Sequence, residues 1–311
     1  VKFCAGDMLP QDVANIVWGC ATLRLPRAQL REVLPILAEV AVDRADSLDP
    51  PGTSSIVWAG AVLQQDAPEL LQIIPAMLEV LQDQLELVSE REVASTIWAI
   101  AALKQRPPDI YHFLPALMEK AVNTSASMTP LDLANTIWGS AVLRHDAPCM
   151  IAELPRLLDA VSLKADVMSP QAVANIVWAF GQARLRSPAS VHALHQLVAN
   201  AARSLSSFTP QPLANLVWGL ALCDFREPDF MVKVAVEVVR RAPSMNDKSA
   251  DLDLPQLACS YAKLGMRHRK MLAAIASRLQ PMLQRVNSWG LCALSWSYGE
   301  LGGDAAFSDF R

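Results

Sequence analysis

Six tryptophans, Trp18, Trp58, Trp98, Trp138, Trp178 and Trp218, stand 40 residues apart without drift, each inside a phrase such as ANIVWG or ANTIWG. A single globular core does not require constant spacing. Stacked copies of one supersecondary unit do, because every copy must present the same face to its neighbours. The spacing predicts an all-α chain, an α-solenoid of about eight stacked helix-turn-helix repeats with a 40-residue period. Six regular helical-pair repeats fill residues 1–241, one per tryptophan. Residues 242–311 are expected to hold an irregular insertion (242–253, APSMNDKSADLD) and two degenerate repeats in which Cys259 and Trp296 take the tryptophan position. The chain opens on Val1 and breaks off inside a repeat-like unit, so it is expected to be a fragment truncated at both ends.

Alignment on the tryptophans shows how each repeat starts. Nine residues earlier come Leu9, Asp49, Ser89, Thr129, Ser169 and Thr209, mostly good N-caps. The next residue is proline in five repeats and Glu90 in the third. Proline suits the first helical position, where its missing N–H costs nothing, and Ser89 with Glu92 has capping-box spacing. Small residues flank each tryptophan, so the indole is expected to be a buried knob between closely approaching helices rather than an exposed stacking platform. A second helix starts at Pro68, Pro108, Pro148, Pro188 and Pro228. Pro35, Pro75, Pro115 and Pro155 fall inside it and predict a kink or split in the first four repeats; His195 and Ala235 leave the fifth and sixth straighter.

The hydrophobic fraction of 52% suits helices covered on both sides. The longest uncharged run, Ser204 to Cys223, carries Pro210 and Pro212 and reads as a buried helix, not a membrane span. Six cysteines without a CxxC read as reduced, buried thiols of an intracellular protein. No phosphate loop, HExxH, nucleophile elbow or recurring carboxylate pair occurs, so no enzyme and no cofactor are expected. His192 and His195 share a helix face, but no acidic or cysteine partner lies near them in sequence, and no metal site is expected.

The phrases PQDVANIVWGCATL, PLDLANTIWGSAVL, PQAVANIVWAFGQA and PQPLANLVWGLALC resemble the octotricopeptide repeat family, related to RAP-domain and FAST-kinase-like organellar RNA-binding proteins. The resemblance covers nearly the whole chain. It implies a helical-repeat protein that binds single-stranded RNA, about one base per repeat, in the processing, stability or translation of transcripts in a mitochondrion or chloroplast. No RAP-type nuclease-like module stands within the 311 residues, so no catalytic activity is carried over.

Such a function needs polar side chains in register. Three residues before each tryptophan come Asn15, Ser55, Ser95, Asn135, Asn175 and Asn215, suited to base edges or to a polar ladder bonding the neighbouring repeat's backbone, the reading that their near-uniformity favours. Seven before it, Gln11, Arg91, Gln171 and Gln211 share the same helix face and vary enough to discriminate bases. Arg24, Lys104, Arg144 and Arg184 form a row six residues after the tryptophan, with Arg186 and Arg226 nearby; they suit RNA phosphates or the carbonyl ends of their own helices. Net charge opposes a wholly basic binder: residues 1–155 hold 10 Lys/Arg against 19 Asp/Glu, whereas 156–311 hold 17 against 12. An RNA path is therefore expected to favour the C-terminal half, and the acidic N-terminal half could contact a basic protein surface. The alternative is a protein–protein interaction scaffold of the same architecture.

Overall fold

The structure, a computed structural model, describes residues 8–103 and 108–301, and every regular element among them is helical. Two compact units divide the chain, Val1–Ala160 and Val161–Arg311. The first contains α1 (Pro10–Thr22), α2 (Arg27–Leu30), α3 (Leu34–Asp43), α4 (Pro50–Val62), α5 (Pro68–Asp83), α6 (Glu90–Ala102), α7 (Leu114–Asn123), α8 (Pro130–Val142) and α9 (Pro148–Glu153). The boundary falls within α10 (Leu158–Lys164). The second contains α11 (Pro170–Ala183), α12 (Pro188–Arg203), α13 (Pro210–Leu222), α14 (Pro228–Arg241), α15 (Asp247–Lys263), α16 (Arg269–Leu279) and α17 (Ser288–Leu301).

The tryptophan helices begin where the capping chemistry puts them. Asp49 Oδ1 accepts from the Gly52 N–H at 2.9 Å, and Ser169 Oγ from the Ala172 N–H at 3.2 Å. Thr129 and Asp132 form a full capping box: the Thr129 N–H donates to Asp132 Oδ2 at 3.0 Å and the Asp132 N–H to Thr129 Oγ1 at 3.2 Å. These bonds satisfy first-turn donors that have no partner inside the helix.

The interior prolines split the second helix in three of the four repeats where a break was expected. Pro35 and Pro115 sit at the second residue of α3 and α7, and Pro155 lies in a 3-10 turn, Leu154–Leu157, between α9 and α10. Pro75 is accommodated inside the unbroken α5, so the one backbone bond lost there does not end the helix. Without an interior proline, α12 and α14 run uninterrupted. Most of the stretch 242–253, read from sequence as irregular, is ordered: Ala242–Ser244 form a 3-10 turn and Asn246 caps α15, accepting from the Ser249 N–H at 2.9 Å. Its charged residues are compatible with a helix whose first turns face solvent.

Within each unit, tryptophan helices pack on tryptophan helices. α4 lies against α1 and α6, and α6 against α8; α11 lies against α13, α13 against α15, and α15 against α17. The partner helices make a second layer, with α3 on α5, α7 on α9, α12 on α14 and α14 on α16. The residue after the tryptophan sets the approach. A Cβ at Gly139 would lie 2.7 Å from the Ile97 side chain and 3.1 Å from its carbonyl oxygen, and one at Gly219 would lie 2.5 Å from the Val177 oxygen. Backbone meets backbone there, which only the smallest residues allow.

The partner layer carries a polar latch absent from the sequence reading. Each short turn before a tryptophan helix leaves carbonyls without helical partners, and the next partner helix reaches back to them. Gln84 Nε2 donates to Leu48 O at 2.9 Å, Lys120 Nζ to Leu85 O at 2.8 Å and Glu86 O at 2.9 Å, and Arg278 Nη2 to Met245 O at 2.8 Å. Arg44 reaches Met8 O and Arg241 reaches Phe208 O in the same way. Asn200, buried, donates to Ala165 O at 2.6 Å and Met168 O at 2.9 Å. Replacing Asn200 by Ala leaves both carbonyls without that donor and is expected to cost about 1–3 kcal/mol in urea unfolding; an unchanged midpoint would rule out a stabilising latch.

Candidate functional site

Four positions along each tryptophan helix keep access to solvent. Counting from the tryptophan, these are seven before, three before, the ring itself and four after; all other positions from six before to three after are buried in α4, α8, α11 and α13. In α11 the stripe is Gln171, Asn175, Trp178 and Gln182; in α13 it is Gln211, Asn215, Trp218 and Leu222. Offsets of four, three and four residues hold one face of an α-helix.

The rings therefore depart from the expectation of buried knobs. Trp58, Trp98, Trp138, Trp178 and Trp218 are half-buried, and Trp18 is 45% exposed. The close approach of the helices explains this. Where glycine follows the ring in α8 and α13, the backbones touch and leave no hole wide enough for an indole, so Trp138 and Trp218 lie over the outer edge of the contact; Ala59, Ala99 and Ala179 keep the same position small in α4, α6 and α11. In the first unit the rings pack on each other instead, Trp58 to Trp98 at 6.4 Å and Trp98 to Trp138 at 6.2 Å between centroids, tilted by 33° and 30°. In the second, Trp218 meets Trp289 edge-to-face at 6.3 Å.

The Asn/Ser row forms no ladder to neighbouring backbone among the described residues. Gln11 Nε2 donates to Asn15 Oδ1 at 3.3 Å and Gln171 Nε2 to Asn175 Oδ1 at 2.8 Å, both within one helix, and Ser55 Oγ donates to Pro51 O at 2.7 Å. Only Asn215 is linked across repeats, accepting from Gln256 Nε2 at 3.2 Å, side chain to side chain. Ser95 and Asn135 lie half-buried on the same stripe, with Arg91 exposed one turn earlier. The latch of the partner helices does the registering that a ladder would have done.

The cation row divides. Arg144 Nη1 donates to Ala141 O at 3.0 Å, capping its own helix, and Gln64 Nε2 in the equivalent place bridges Ala61 O at 2.8 Å and Ala102 O at 3.1 Å. Arg24 lies near Gln64 and Trp98 along a shallow groove of the first unit. Lys104 lies outside the described residues. In the second unit Arg184, Arg186 and Arg226 converge with Lys263 on a groove of about 710 Å³ in which Asp224 is the acidic member. Lys263 was not picked out from the sequence, because it stands four residues after Cys259 and not at the offset of six that defines the row. Beneath this groove, burial pushes the Cys223 thiol up to about 11 against the opposing charge of Arg186. Cys223 is the buried thiol; Cys149 and Cys292 are exposed, contrary to the expectation for all six, and Cys4 lies outside the described residues.

Arg24, Arg184 and Asp224 have left-handed backbones, with φ of 48°, 53° and 53°. Each ends its helix in a Schellman pattern; for Arg184 its N–H bonds Gly181 O at 3.2 Å and the Leu185 N–H bonds Phe180 O at 3.1 Å. Gly265, φ 66°, fills the same frame position in the repeat of Cys259, as the conformation prefers.

A second groove of the second unit, about 650 Å³, brings the predicted Gln211 and Asn215 together with Lys248, Asp253, Gln256 and Trp289. Asp253 is 5% exposed, and burial first, with the charge of Asp251 second, raises its carboxyl to about 6. Separately, His195 Nδ1 lies 2.8 Å from Glu227 Oε1, and its ring meets Phe225 edge-on. That acidic partner stands 32 residues away in sequence, beyond what local spacing reveals.

These features define an all-helical, repeat-like protein with one recurring polar and aromatic face. No protein-family model matches the chain, and no curated protein matches it significantly.

Two stability effects follow. Arg184→Gly relieves left-handed strain of about 1–2 kcal/mol and loosens the unfolded chain by about 0.5–1 kcal/mol, so a net gain near 0.5 kcal/mol is expected. A loss in thermal unfolding would show that Arg184 stabilises the helix end. Asp253 has its folded pKa above the unfolded value of 3.8, so its favourable contribution is complete below that value and is lost as pH rises through about 6. Asp253→Asn is therefore expected to stabilise the protein by about 1–2 kcal/mol near pH 7.5, after discounting for solvent reaching the groove, with no gain near pH 4. Urea unfolding at the two pH values reads this directly.

Proposed function

We propose that the chain is an α-solenoid of the octotricopeptide-repeat kind that binds single-stranded RNA, with the recurring stripe as its RNA face. The observation that carries the reading is the stripe itself: in repeat after repeat, a half-exposed indole and an Asn or Ser lie side by side on solvent, with no structural bond to the next repeat's backbone among the described residues. Indoles stack on bases of any kind at about 1–3 kcal/mol each, and amides read base edges. Arg184, Arg186, Arg226 and Lys263 serve as phosphate contacts, in agreement with the basic C-terminal half. Action on transcripts of a mitochondrion or chloroplast rests on the resemblance of the repeat phrases. The acidic N-terminal half, with 10 basic against 19 acidic residues, favours a second reading as a protein scaffold.

Binding of the chain to a randomised single-stranded RNA pool, sequenced after selection at two salt concentrations, tests the proposal. If the four cations each neutralise one phosphate, log affinity falls against log salt with a slope of about −3, roughly 50-fold between about 50 and 200 mM. Enrichment of a contiguous motif with such a slope supports RNA reading. No binding at the lower salt overturns it in favour of the scaffold.

A further inference from the structure

The frame position six residues before the tryptophan holds an acid in α1, α6, α8 and α15 (Asp12, Glu92, Asp132 and Asp253); the first three sit in capping boxes, and Asp132 and Asp253 have different fates. Asp132 is buried at the start of α8, where the Thr129 N–H and Oγ1 donate to its Oδ2 at 3.0 and 2.6 Å. Asp253 occupies the same position relative to Cys259 and is buried to the same degree. But α15 begins at Asp247, with Asn246 as its cap, so Asp253 is well inside the helix with no cap to serve. Its carboxylate lines the groove between α13 and α15, and the influences acting on it are burial and the charge of Asp251, with no hydrogen bond among them. A largely buried carboxylate that faces a groove without protein donors costs free energy, which a ligand bringing donors into the groove recovers.

The surroundings limit what that something is. Gln211 and Asn215 of α13 and Gln256 of α15 present amides to the groove, Lys248 contributes a cation, and the 50% exposed Trp289 ring stands at its border. Amides, an aromatic face, a cation and an unpaired carboxylate suit a nucleobase with a phosphate attached. Among the four RNA bases, guanine alone offers two adjacent donors on its Watson–Crick edge, N1–H and N2–H, which a carboxylate accepts together, while O6 and N7 accept from amide N–H groups.

We infer that the groove between α13 and α15 is a pocket for a single guanine of single-stranded RNA, with Asp253 accepting from its Watson–Crick edge, Gln211 and Asn215 among the amides that reach its acceptors, Trp289 stacking on it and Lys248 meeting its phosphate. This rests on the RNA reading, but it places a base-specific site in the stretch that departs most from the regular repeat.

The test uses the full chain and fluorescence anisotropy with two labelled RNAs, a 12-mer of uridine and the same 12-mer with one central guanosine. The guanosine RNA is expected to bind about tenfold more tightly. Asp253→Asn, which is expected to fold with stability at least equal to the parent near neutral pH, removes that preference and leaves oligouridine binding within about twofold. Trp289→Ala weakens the guanosine RNA most. Equal affinity for both RNAs, or a preference that survives Asp253→Asn, overturns the pocket while the RNA reading stands. Absence of binding by either RNA at low salt overturns both.

Discussion

The contact on which the rest depends is the one between successive tryptophan helices at the residue just after the ring. Gly139 over Ile97 and Gly219 over Val177 bring backbone against backbone, with no room for even a Cβ. An approach that close has one axial solution, because a slip of one residue would put a side chain where the carbonyl now lies. The constant 40-residue interval is the sequence's record of that solution, since each inter-helix turn must return the chain to the same spot.

Two consequences follow from one geometry. The indole, squeezed out of the contact, comes to rest on its outer edge, where part of it is wet and, in the first unit, neighbouring rings touch. Register on the other side is held by donors at the ends of the partner helices, among them Gln84, Lys120, Asn200 and Arg278, each bonding carbonyls one repeat back. The layer that stacks and the layer that latches are distinct. The polar row beside the rings has little structural work left, and this is the physical ground for assigning it a ligand.

Much of this was legible in sequence. The helix starts, the capping box at Thr129, and the interruptions at Pro35, Pro115 and Pro155 depend on residues close to one another in the chain, and local chemistry reports them well. What was illegible is long-range. The latch donors vary from Gln to Lys to Asn to Arg, so no repeated letter betrays them. The role of the sixth position before the ring depends on where its helix begins. In α8 it is a cap partner; in α15, lengthened by residues 247–250, the same acid is stranded inside. Lys263 stands four residues after Cys259, outside the row read six residues after the tryptophan, and only the packing of α15 beside α13 brings it into the Arg184 groove.

The sequence by itself determined the all-helical character, the period and the identity of the residues that recur, because capping, proline chemistry and small-residue packing are written in neighbouring positions. Tertiary structure alone decided which recurring side chains face water, which cations share a groove and which acid lacks a partner. Those depend on distances between helices some 40 residues apart, and a backbone contact of that kind cannot be read from any one helix.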